Sequence, residues 1–126
     1  MGLWDMSKII ILYTLYMNST LVHLFHIIFV GGLFLYVGIH REKIYKQLFP
    51  LLLGLGIVII LYHTYKTYKY WREGKGFWVN LLHIFIIGPL LIYIGYYGEK
   101  TARLYFELLL MLGFASIGYH GYYLFY

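Results

Sequence analysis

The chain contains no cysteine. That removes disulfides, thiolate metal sites, iron–sulfur clusters and cysteine nucleophiles together, and it leaves the redox compartment open. Aspartate is reduced to Asp5, and the serines are Ser7, Ser19 and Ser116, so no Ser–His–Asp hydrolase can be read. Charge is scarce: 12% of the 126 residues are charged against 62% hydrophobic. A soluble domain of this length needs far more charged surface than that. No H-E-x-x-H, phosphate-binding loop or dinucleotide fingerprint is present. No lysine lies inside an apolar run, which argues against a retinal Schiff base.

The apolar residues gather into blocks of roughly 20, the length of helix that crosses a hydrocarbon core. The expected fold is all-α: an integral membrane four-helix bundle forming one domain, with spans at about 20–39, 48–65, 77–97 and 102–126. Pro50 falls in an opening turn, where its missing N–H does no harm. Gly88-Pro89 should bend the third span. The stretch before residue 20 reads as a short interfacial helix or as the first turns of a longer one, with Asn18-Ser19-Thr20 as a break or cap. No internal repeat and no second domain are read. Glycine recurs in every span, as expected where membrane helices approach closely. Tyrosine is abundant, 16 residues, and three tryptophans join it, suiting the membrane–water interface.

The formal charge of +5 sits in short loops beside the apolar blocks, which implies anionic lipid headgroups as partners and excludes nucleic acid. Orientation is undecided. Lys8, Lys66, Lys69, Arg72 and Lys75 fall on one side, and Arg41, Lys43, Lys46, Lys100 and Arg103 on the other.

Histidine is the distinctive set. With four spans, His23 and His26, His63, His83 and His120 all come to one leaflet, and only His40 falls opposite. Neutral imidazole ligates haem iron and transition metals without help from thiolate. The expectation is therefore haem b or a metal ion, supporting electron transfer or membrane redox chemistry. His26 would pair with His83, His63 with His120, and His23 would stand as the alternative to His26. Asn80 and Ser116, one turn from His83 and His120, are expected to orient the ligands. Such a span count with facing histidines resembles membrane b-type cytochromes in architecture, without a shared motif.

A second expectation is a small proton or ion channel, or a transporter, formed by an oligomer. The same histidines would titrate there, and Glu107 would be a possible proton carrier. A third is a structural or assembly subunit of a larger membrane complex.

Overall fold

The computed structural model describes residues 5–126, so the first four residues of the N-terminal stretch lie outside the described residues. The described chain is helical with short connections: α1 (Met6–Phe25), a π-helical turn (His26–Gly31), α2 (Gly32–His40), α3 (Leu48–Arg72), α4 (Trp78–Leu82), a second π turn (His83–Ile87), α5 (Gly88–Tyr97) and α6 (Arg103–Phe125). Four helical segments are long and apolar enough to cross a membrane: Met6–Lys43, Leu48–Arg72, Trp78–Lys100 and Arg103–Phe125. The first runs straight through Asn18-Ser19-Thr20, where the sequence offered a break. A side chain at each of these positions can be lost to solvent or lipid without interrupting the backbone ladder, so a polar trio alone does not end a helix. Asp5 caps the start, accepting from the Ser7 N–H at 3.0 Å.

The chain is internally duplicated, contrary to the reading of its sequence. Residues 20–69 and 77–126 align at a constant offset of 57 without a gap, and 20 of the 50 pairs are identical. Eight of these identities are leucines and isoleucines that any two membrane segments share. The telling ones are His26/His83, Gly31/Gly88, Tyr36/Tyr93, Gly38/Gly95, Gly56/Gly113 and the pair Tyr62-His63/Tyr119-His120. The structure repeats with the same offset. Both π turns start on the matched histidine. Both copies turn between their two helices through a short 3-10 stretch, Arg41–Lys43 and Gly98–Lys100. Phe34, Val37, Phe49 and Leu52 are buried, and so are their counterparts Leu91, Ile94, Phe106 and Leu109.

The two compact units do not coincide with the two copies. One unit holds residues 5–35 and Met111–Tyr126; the other is Tyr36–Leu110. Each unit therefore sets the first helix of one copy against the second helix of the other. In the first unit, a β-carbon on Gly31 would meet Ile117, and one on Gly113 would meet Leu35 and Phe34. In the second, the matching contacts are Gly88 on Ile60 and Gly56 on Ile92. Close approach at these glycines replaces the hydrophobic drive that helices lack in lipid.

The two turns differ at one telling position. Gly98 has φ 56° and its counterpart Arg41 has φ 54°. Left-handed backbone costs a side chain bearing a β-carbon roughly 1–2 kcal/mol. Replacing Arg41 by glycine should therefore stabilise the fold by about 0.5–1 kcal/mol, after the extra chain entropy of glycine is subtracted. The midpoint of detergent-induced unfolding measures it; a destabilised Arg41→Gly protein would mean that the arginine side chain itself holds the turn.

Charged groups stay at the ends. Lys46 pairs with Glu99 at 3.3 Å across the two turns of the second unit. In the connection between copies, a hydrogen bond from Lys75 holds the Glu73 carboxyl below its usual range, with Lys69 and Lys66 adding to the effect. These pairs are exposed and contribute little to stability.

Candidate functional site: a histidine pair built twice

In the first unit, α1 and the π turn bring His23 and His26 to the last turns of α6. His23 Nδ1 lies 2.9 Å from His120 Nδ1. The ring of His26 stacks on that of His120, with centroids 4.3 Å apart and planes within 23°. His120 is 9% exposed, so the contact sits inside the helix pair. The Nδ1–H of His26 donates to the Val22 carbonyl one turn back, at 2.7 Å. This fixes its ring and places the lone pair on Nε2. Tyr123 stacks beside His23 at 6.4 Å, and Tyr119 packs on Tyr123.

The second unit contains the same arrangement with the copies exchanged. His83 donates from Nδ1 to the Val79 carbonyl at 2.7 Å and stacks on His63, centroids 3.9 Å apart and planes within 17°. His63 Nδ1 meets Asn80 Oδ1 at 2.7 Å. Asn80 occupies the position of His23 in the alignment, so one site has an imidazole where the other has an amide.

The π turns explain why the histidines stand where they do. Each turn adds one residue to the helical circuit, which rotates the following face and leaves a backbone carbonyl less well satisfied. In the first unit, the hydroxyl of Ser116 donates to the His26 carbonyl at 3.5 Å. Ser116 is matched by Ile59 in the other copy, so this contact is particular to one site. Gly31 closes one π turn and Gly88 follows the other, and an isoleucine of the packed helix lies against each glycine.

All five histidines expected at the site take part in ring contacts within the units. His26 stacks on His120 in the first unit, and His63 stacks on His83 in the second. The members of each expected pair belong to different units. Asn80 orients His63 instead of His83, and Ser116 reaches the His26 backbone instead of the His120 ring. Glu107 is held by Arg103 one turn before it, in an exposed ion pair. His40 lies apart from both sites, its ring against Tyr36 at 4.7 Å. The residues not anticipated are Val22 and Val79, whose carbonyls pin two rings, and Tyr119 and Tyr123. The duplicated Tyr-His dipeptide was the signal that could have found Tyr119; Tyr123 is matched by Lys66 and carries no such signal.

This geometry bears on the expected cofactors. Axial haem ligands point their nitrogens end-on at the iron from opposite faces of the macrocycle. His26 with His120, and His63 with His83, lie face to face at stacking distance, so neither pair is arranged as an axial pair. Among the described residues, no group of three or more His, Cys, Asp or Glu is disposed to hold a metal ion. What the arrangement can do directly is share a proton, because two imidazole nitrogens 2.9 Å apart need one hydrogen between them. No protein-family model, no curated protein and no solved structure matches the chain.

Proposed function

We propose that the chain is an integral membrane protein that takes up and passes protons at the His23–His120 pair. The observation that carries this reading is the 2.9 Å contact between two Nδ1 atoms within otherwise apolar helices. Ionisable side chains are costly in such surroundings and are retained where they do chemistry. Histidine alone among side chains changes charge near neutral pH without perturbation.

The hop balances as follows. With His120 as the Nδ1–H donor, His23 carries its own proton on Nε2. A proton arriving at Nε2 of His120 makes that ring an imidazolium. His120 then passes its Nδ1 proton to Nδ1 of His23, and His23 releases the proton from its Nε2. One proton enters and one leaves, and both rings end neutral with their tautomers exchanged. Rotation of the protons back through solvent or a neighbouring tyrosine resets the pair. His26, pinned by Val22 and stacked on His120, holds the receiving ring in place.

The test is proton flux into phospholipid vesicles containing the purified chain, read by a trapped pH-sensitive dye under a potassium diffusion potential. Flux above protein-free vesicles is expected, with a loss of about ten-fold or more in His23→Ala, the range by which positioned proton-transfer groups act. Wild-type flux equal to that of empty vesicles sinks the reading. A Soret band, or stoichiometric metal in the purified protein, would assign the imidazoles to ligation instead.

A further inference from the structure

The two copies of the site differ in the side chain that meets Nδ1 of the histidine on the second helix of each copy, and the difference is chemical. In the first unit the partner of the α6 histidine is His23, an imidazole, which can donate or accept at Nδ1. In the second unit the partner of the equivalent histidine, His63, is the Asn80 oxygen, which can only accept. His63 must therefore carry its proton on Nδ1 to make this bond. His120 is under no such obligation, since either ring of its pair can supply the hydrogen. Asn80 is buried at 7% exposure, so its side-chain oxygen depends on His63 as partner, and losing that bond would be costly.

We infer that Asn80 is a positioning residue that locks His63 in one tautomer, and that the duplicated sites have thereby diverged: the first exchanges its proton and the second holds a fixed imidazole pair. Two further contacts of the two histidines are shared. A tyrosine precedes each and meets its ring edge-on, Tyr62 at 5.2 Å from His63 and Tyr119 at 5.1 Å from His120. A histidine pinned to a valine carbonyl stacks on each. The amide-for-imidazole replacement changes the partner of Nδ1 itself. Its consequence for flux rests on the proton-passing reading above; the tautomer assignment rests on the hydrogen-bond geometry alone.

The experiment uses the full-length chain, labelled with nitrogen-15 at histidine and reconstituted in phospholipid bilayers, with ring-nitrogen shifts read by magic-angle-spinning NMR. In the wild type, His63 should show one protonated and one unprotonated nitrogen, with Nδ1 as the protonated one. His120 should show Nδ1 averaged between the two states. His23→Asn should convert the His120 pattern into that of His63, and Asn80→His should convert the His63 pattern into that of His120. Asn80→His should also raise flux about two-fold by creating a second exchanging pair. Identical patterns for His63 and His120 in the wild type overturn the inference, as does a His120 signal unchanged in His23→Asn. Should either variant fail to fold, the wild-type comparison decides by itself. Absence of flux would defeat only the proposed function, because the tautomer patterns are read without it.

Discussion

Replacing Gly95 by alanine should cost the fold about 3 kcal/mol or more, the upper part of the range for overpacking. The added β-carbon would lie 2.5 Å from the Leu53 backbone nitrogen and 2.6 Å from both the Leu53 β-carbon and the Phe49 carbonyl oxygen. Two of these three neighbours are backbone atoms of α3, so no rotamer change relieves the collision; α3 and α5 must move apart. Separation would also open the contacts of Gly56 and Gly88 along the same pair of helices. Gly118→Ala is the matching control, since a β-carbon there meets nothing within 4 Å. Its effect should stay within about 0.5 kcal/mol, in line with exposed substitutions. Unfolding in mixed micelles of increasing sodium dodecyl sulfate fraction compares the two. Equal and small shifts would mean that α3 and α5 do not approach as described.

His120→Ala should reduce proton flux to that of protein-free vesicles, a loss of at least about ten-fold. The substitution removes three things at once: the Nδ1 partner of His23, the stacking surface of His26, and a buried ring that fills the space between α6 and the π turn. His23, half-buried, would lose its Nδ1 partner, so a fall in stability of about 1 kcal/mol should accompany the loss. His120→Asn separates the two effects. It restores a polar partner for His23 and should recover stability while flux stays low, because an amide does not relay a proton. His40→Ala, outside both sites, should leave flux unchanged. Full flux in His120→Asn would remove His120 from the proton path.

The helical segments were legible in the sequence because their signal is one of length and apolarity, which needs no knowledge of neighbours. The placing of five histidines within these helical segments was legible for the same reason. The pairing of those histidines was not. Depth along a helix follows from counting residues, whereas the choice of facing helix follows from packing. Here packing turns on glycines whose importance is visible only beside their partners: Gly31 and Gly95 meet side chain or backbone, while Gly32, Gly118 and Gly121 meet nothing. The ring stacked beside His120 is that of His26, on another helix. The repeat is carried in sequence by scattered histidines, glycines and tyrosines, among leucines and isoleucines that any two membrane segments share. Two left-handed turns, two π turns and two stacked imidazole pairs recur at the same offset of 57.

The reciprocal pairing of helices also fixes an order of assembly during synthesis. The unit Tyr36–Leu110 has all of its parts once residue 110 has been made. The other unit joins residues 5–35 to Met111–Tyr126, so its first helix gains its packing partner only once the segment from residue 111 onward has been made. Until then Gly31 lacks the Ile117 side chain it packs against and His23 lacks the His120 ring. The His23–His120 contact thus joins parts of the described chain that are made far apart in time.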